Sequence, residues 1–165
     1  MHFERYWVYP SKIGLTMPNG AYKRSNSSIV YVTDQGNKTK PAGVYQWDLS
    51  NNQTRLIVGH YQGKVLNSPN DVTYGEHALW FTDPTYGYQA GFRPKPQLPA
   101  AVWHYELSQK KLSQLTTIPE QPNGIALSIS NECLIVSDTS YALGNGGSDP
   151  KGHRSISAYQ LKNMA

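Results

Sequence analysis

The sequence predicts an all-β protein built as a β-propeller, and three observations predict it. A Pro-Asn element occurs three times, as Met17-Pro18-Asn19-Gly20, Ser68-Pro69-Asn70-Asp71 and Gln121-Pro122-Asn123-Gly124. The three asparagines lie 51 and 53 positions apart, and a period of about 50 residues belongs to stacked or radially arranged supersecondary units. The composition agrees: 12 tyrosines, 14 glycines and 11 prolines against 16% charged residues favour short strands and many turns over helices.

Each Pro-Asn element leads into a β-rich run ending in Asp: Ile29 to Asp34, Ala78 to Asp83, and Cys133 to Asp138. A third element follows each, starting at Gly43, Ala101 and Ser155. The second unit reads most clearly. Asp71-Val72-Thr73-Tyr74 alternates and closes at Gly75, Glu76-His77 makes a turn, and Ala78-Leu79-Trp80-Phe81-Thr82 is a mostly apolar strand. A connection rich in Pro, Gly and Tyr covers 83–99. Residues 101–107 then set Val102 and His104 against Trp103 and Tyr105, as a half-buried strand does, and 112–116 supply a fourth strand after a turn.

Four short antiparallel strands per about 50 residues make one propeller blade. With the strands lettered A to D, the start of A shares an edge with the end of B. Asn19 is therefore expected near Asp34, Asn70 near Asp83, and Asn123 near Asp138. Strand A lines the central channel of a propeller, which directs the three asparagines towards one axis. The loops 35–41, 84–99 and 140–153 overhang the same face. The chain reads as one partial propeller domain, 1–165, with blades at about 17–60, 61–118 and 119–165. Closed propellers need about four to eight blades. About three predict a piece of a larger propeller, a truncated gene product, or a chain that associates through its exposed blade edges.

Two readings of the asparagines stand side by side. Pro-Asn-Gly and Pro-Asn-Asp are turn sequences in their own right, because Asn and Gly tolerate positive φ; a channel asparagine is also an oxygen ligand. Asp34, Asp83 and Asp138 read as caps of local turns through their own side chains.

The bulk numbers exclude several function classes. A net charge of +4 without a run of like charges is a solubility feature, so no nucleic-acid partner is expected. Nothing resembles a membrane span or a secretory leader, which leaves the cytoplasm as the default compartment. Sequons at Asn26, Asn37 and Asn52 are weak evidence to the contrary. The single Cys133 reads as a small buried hydrophobe. There is no nucleophile elbow, zinc-protease motif or phosphate loop. Gly144-Asn145-Gly146-Gly147 is a flexible loop, and Ser108 with Lys111 falls in a turn. His104 reads as a packing or surface residue. Arg93 and Lys95, in the long loop of the second unit, read as solvated charges, with contact to an anionic substrate as the alternative.

Two stretches carry a family resemblance. Asn67-Ser68-Pro69-Asn70-Asp71-Val72 followed by Leu79-Trp80-Phe81-Thr82-Asp83-Pro84, then Tyr86-Gly87-Tyr88, resembles the gluconolactonase/regucalcin family. The run from Gly91 to Pro99 is similar to its fungal lactonase-like members. Gln121-Pro122-Asn123-Gly124-Ile125 and Leu134-Ile135-Val136-Ser137-Asp138-Thr139 continue the match, which runs from about Met17 to the end of the chain. The resemblance implies a six-bladed propeller with a divalent cation, usually calcium, in its channel, and hydrolysis of a small-molecule lactone or ester. It implies Asn70 and Asn123 as metal ligands, and Asn19 and Asn70 as substrate contacts. The family's early Glu would lie upstream of Met17, where Glu4 is the one candidate and its surroundings do not match. The late Asp, the general base in some members, would lie beyond Ala165.

Such a site has a physical logic. Calcium prefers about six to eight oxygen ligands, and Asn carbonyls are neutral oxygen donors. An ion left with residual positive charge polarises a lactone carbonyl, while a carboxylate activates water. Asparagines without carboxylates bind calcium poorly, so the chain alone is expected to bind it weakly and to have little lactonase activity. Two hypotheses follow. The chain is part of a calcium-dependent lactone hydrolase, or it is a non-catalytic binding or assembly module that keeps the fold without the full metal site.

Overall fold

The computed structural model describes residues 8–117 and 119–161; Glu4 and the last four positions of the third blade lie outside them. β1 (Pro18–Lys23), β2 (Ile29–Asp34), β3 (Gly43–Asp48) and β4 (Gln53–Val58) form an antiparallel sheet in that spatial order. A two-stranded hairpin, β5 (His60–Tyr61) with β6 (Lys64–Val65), precedes the second sheet. That sheet is β7 (Val72–Gly75), β8 (Ala78–Asp83), β9 (Ala101–Glu106) and β10 (Lys111–Thr116), again in sequence order. β11 (Pro122–Leu127), β12 (Cys133–Asp138) and β13 (Ser155–Gln160) make a third sheet. The strands read from the second repeat agree with these limits to within a residue. Among the described residues, helical structure is confined to a 3₁₀ turn at Pro10–Ile13 and one α turn at Tyr86–Gln89. No helix among the described residues is long and apolar enough to cross a membrane.

The hairpins close as their residues dictate. Glu76 and His77 both adopt left-handed φ, 50° and 64°, between the paired Gly75 and Ala78. Two left-handed central residues match the right-handed twist of the flanking strands.

The sheets meet through their first strands. β7 lies against β1 and β2 on one side, and β11 lies against β7 and β8 on the other. Strand alternation then decides which residues fill each gap. Tyr31 of β2 and Val44 of β3 face the second sheet and pack with Leu79, Phe81, Trp103 and Tyr105. Trp80 and Val102, on the opposite side of that sheet, pack with Ile125, Leu134 and Val136 of the third. The second sheet is thus covered on both faces, and every residue of β8 is buried. This is why 78–82 reads as a nearly continuous apolar run rather than an alternating one. Each large side chain buried in these gaps contributes about 1.5–3 kcal/mol. On the outer side of the first sheet, Ile13 and Leu15 cover Val30, Val32 and Tyr45. The outer side of the third sheet leaves Ile135 and Ile156 exposed. Cys133, expected to be buried, is only half-buried, because it lies on the side of the third sheet that no other sheet of the described residues covers.

Arg93 corrects the sequence reading. Its side chain is buried rather than solvated. Nε donates to the Asn67 carbonyl (2.8 Å) and Nη2 to the Leu66 carbonyl (3.0 Å). Nη1 donates to the carbonyls of Asn37 (2.7 Å) and Lys40 (3.3 Å) in the first blade's loop. The guanidinium fork is therefore a staple between two blades. Burial pushes its pKa down, opposed by Asp83, Asp34 and Tyr45.

Candidate functional site

The three Pro-Asn elements turn out to be β-bulges on the inner strands. Pro18 pairs with Asp34, but Ala21 pairs with Val32, so one extra residue sits on β1. Pro122 pairs with Asp138 and Ile125 with Val136, with the same shift. Asn19-Gly20 and Asn123-Gly124 thus oppose one residue each, Thr33 and Ser137. In the second blade the Asn70 amide donates to the Thr82 carbonyl (2.9 Å), and the Thr82 amide to the Asp71 carbonyl (3.0 Å). Bulges re-aim side chains and raise local twist, and they recur beside functional sites. Neither Gly20 nor Gly124 has positive φ. Gly20 is required for space: a Cβ there would come within 2.3 Å of Asp71 Oδ1 and 2.7 Å of the Asn70 carbonyl oxygen.

A hydroxyl holds each bulge and joins it to the next blade. Thr33 Oγ1 accepts from the Gly20 amide (2.9 Å) and donates to the Asn70 carbonyl (2.7 Å). Thr82 Oγ1 accepts from the Asp71 amide (3.1 Å) and donates to the Asn123 carbonyl (2.6 Å). Ser137 Oγ accepts from the Gly124 amide (2.9 Å). The Gly20 amide also donates to the Asn70 carbonyl (2.7 Å). These bonds set Asn19, Asn70 and Asn123 at equivalent positions on three neighbouring inner strands.

Their side chains differ in state. Asn19 is exposed. Asn70 is only 7% exposed; its side-chain amide makes no hydrogen bond to another described residue, and its polar atoms keep contact with solvent. Asn123 is half-buried and its Nδ2 donates to Thr139 Oγ1 (3.0 Å), which leaves Oδ1 as an uncommitted acceptor. The overhanging loops are tied to each other as well. Gln121 accepts from the Thr85 amide (2.9 Å) and donates to Thr85 Oγ1 (2.8 Å), and Tyr86 Oη meets Thr139 Oγ1.

Sequence reasoning missed Asp71. Its Oδ2 accepts from the Ile125 amide of the third blade (3.0 Å) and its Oδ1 from the Val72 amide (2.9 Å). It is the one carboxylate within the three bulges. The signal was available: after each Asn the repeats read Gly, Asp, Gly. The hydroxyl before each strand-ending Asp (Thr33, Thr82, Ser137) was equally legible and equally overlooked.

The strand-ending aspartates are clamps. Asp34 accepts from the amides of Thr16 (2.6 Å), Met17 (3.1 Å) and Gly36 (2.7 Å). Asp83 accepts from Asn67 (2.9 Å) and Ser68 (2.7 Å). Asp138 accepts from Glu120 (2.9 Å), Gln121 (3.3 Å) and Ser140 (2.9 Å). Each fixes the chain just before the inner strand. Burial pushes the Asp83 carboxyl up to about 7, against the pull of its two amide donors and Arg93. His104 is a packing residue: its ring lies 4.3 Å from that of Trp80, and burial pushes its pKa down.

The donors at the inner strands fit a hard cation in kind but not in number. Asn70 and Asn123 offer amide oxygens, where calcium takes about six to eight oxygens. No group of three or more His, Cys, Asp or Glu among the described residues is arranged to hold a metal.

Antiparallel four-stranded sheets that meet through bulged, polar inner strands define a β-propeller arc. No family model matches the chain. A gluconolactonase of Zymomonas mobilis subsp. mobilis is 30% identical over 161 residues, covering 84% of this chain and 41% of the relative. A solved gluconolactonase from Xanthomonas campestris superposes with a TM-score of 0.72 at 27% identity, over 90% of this chain and 46% of that one. The structure of a luciferin-regenerating enzyme, 15% identical, shares the fold with a TM-score of 0.58, over 91% of this chain and 46% of that one. The chain resembles gluconolactonases in both sequence and fold. It spans less than half the length of these relatives.

Proposed function

We propose that this chain contributes three neighbouring blades to a lactone-hydrolysing site of the gluconolactonase type. The observation that carries the reading is Asn70. It is nearly enclosed, but no described residue engages its side-chain amide, whose polar atoms still reach solvent and are free to take an outside partner. It stands between the equivalent Asn19 and Asn123 and beside Asp71. In this reading Asn70 and Asn123 give their side-chain oxygens to a calcium ion, and Asn19 and Asn70 meet a small lactone. Asp71 holds the second and third blades in register at that point. The missing oxygens would come from blades outside these three, so no catalytic step is assigned to the three alone.

Titration with terbium, a luminescent calcium substitute, tests the metal assignment. Binding in the weak range, Kd about 10⁻⁴–10⁻³ M, is expected, and Asn70→Ala or Asn123→Ala should weaken it further. Tight stoichiometric binding indifferent to both substitutions would remove these asparagines from the site. An absence of both metal binding and lactone hydrolysis in the fully assembled protein would leave the non-catalytic assembly module as the function.

A further inference from the structure

A second polar hollow lies at the other end of the inner strands from the three asparagines. Its volume is about 300 Å³, at the low end of the range for small-molecule sites. All three blades wall it, through the ends of their inner strands and the turns that follow. Tyr22, Arg24 and Ser25 belong to the first blade, Tyr74 and Glu76 to the second, and Asn131 to the third. Gly75 makes the close approach possible: a Cβ there would lie 2.6 Å from Leu127 Cδ1 and 2.9 Å from Asn131 Oδ1. The third blade's turn therefore closes directly on the second's.

The first blade's turn is pinned as well. Lys23 Nζ donates to the carbonyls of Ser27 (2.8 Å) and Arg24 (3.3 Å). The Arg24 guanidinium lies over the Tyr74 ring, 5.2 Å from its centre, and Tyr74 stacks on Tyr31 at 5.7 Å. The Tyr22 ring stands 6.2 Å from that of Tyr74, tilted by 40°. Arg24 forms no ion pair with a carboxylate of a described residue, although Glu76 lines the same hollow. A guanidinium on an aromatic shelf, without a carboxylate partner, is a ready anion site.

We propose that this hollow binds a small polyhydroxy carboxylate, with its carboxylate on Arg24. The guanidinium fork matches a carboxylate in geometry and charge. The hydroxyls of Tyr22, Ser25 and Tyr74 and the amide of Asn131 are neutral donors and acceptors, suited to a ligand's hydroxyl groups. The two tyrosine rings offer flat faces to its C–H groups. Glu76 can accept from hydroxyls but repels further negative charge, which favours a monoanion over a phosphate dianion. A hydroxy acid is also what remains when water opens a lactone: the acyl C–O bond breaks, the ring oxygen becomes a hydroxyl, and the carboxylic acid gives up its proton. The choice of an aldonate as ligand rests on the lactonase reading; the preference for a hydroxylated monoanion rests on the walls of the hollow.

Calorimetric titration with D-gluconate in metal-free buffer tests it, because a calcium-dependent channel site is silent there. Saturable binding at millimolar gluconate is expected. Arg24→Gln should weaken it by about 10- to 100-fold, the worth of a hydrogen bond to a charged group. Glu76→Gln should tighten it by about two- to fivefold, the size of an exposed charge contact. Acetate lacks the hydroxyls and D-glucitol the carboxylate, and each should bind at least about tenfold more weakly than gluconate. Asn70→Ala, at the far end of the strands, should leave gluconate binding unchanged. Circular dichroism establishes that Arg24→Gln is folded; should it not be, Glu76→Gln and the two partial ligands decide. No saturable binding overturns the proposal, as does binding indifferent to Arg24→Gln in the folded variant, acetate binding as tightly as gluconate, or loss of binding in Asn70→Ala. If the assembled protein hydrolyses no lactone while gluconate still binds through Arg24, the lactonase reading fails and this one stands. If hydrolysis persists and gluconate does not bind, this one alone fails.

Discussion

Thr82 is the most direct probe of how the blades are joined. It is fully buried, and its hydroxyl serves the Asp71 amide and the Asn123 carbonyl together. Thr82→Val keeps the shape and β-branching but strands both groups. Each buried polar group left without a partner costs about 1–3 kcal/mol. The Asn123 carbonyl lies at a partly buried position, so the pair should cost ~2–4 kcal/mol, a large share of the ~5–15 kcal/mol typical of a folded protein. With a urea slope of about 1–3 kcal/mol/M, the unfolding midpoint should fall by about 1–2 M. The control is Thr73→Val, the same substitution at another buried position whose hydroxyl makes no hydrogen bond to a described residue; it should change stability by less than about 0.5 kcal/mol. Both are compared with the parent by urea titration at one protein concentration, because association would shift apparent stability. Equal midpoints for the two variants would refute the idea that the hydroxyl holds the blades together.

Three further outcomes follow from the same geometry. Gly20→Ala should destabilise by ~1–3 kcal/mol, because its Cβ would sit 2.6 Å from the Asp71 Cα. Gly124→Ala, whose nearest neighbour would be Ser137 Oγ at 3.3 Å, should cost less, as thermal unfolding will show. Arg93→Lys should lower the melting temperature almost as much as Arg93→Ala, since a single ammonium cannot reach carbonyls on both blades in the fork's geometry; full rescue by Lys would contradict the staple. Asp83 carries the pH prediction. Its folded pKa, about 7, lies above the ordinary 3.8, so the folded state holds the proton more firmly. That preference supports the fold below about pH 4 and is lost as pH rises through 7. The parent should therefore lose more urea resistance between pH 5 and 8 than Asp83→Asn does, and parallel profiles would count against it.

Much of the architecture is legible in the residues themselves. The fifty-residue spacing of Asn19, Asn70 and Asn123 identifies the blades, because each repeat must be one sheet. The alternation in 101–106 identifies β9, because a strand between two layers sorts its side chains by parity. Arg93 was not legible: four carbonyl acceptors from distant residues look like nothing in one dimension, and a charge in a Pro-rich loop reads as solvated. Asp71 was hidden for a related reason. Its role is a bond to the Ile125 amide, 54 residues away, and a Pro-Asn-Asp turn gives no hint of it.

By itself the chain determines the number of blades, their strand order and the residues that recur at each inner edge. These follow from local periodicity and from turn chemistry, which need only near neighbours. Tertiary packing decided that the Pro-Asn elements are bulges rather than turns, that Gly20 must be glycine, and that the hydroxyls of Thr33 and Thr82 reach across to the next blade. Those outcomes depend on how closely two separate sheets approach. Distances between sheets are set by the side chains that fill the gap, and they are written nowhere along the chain.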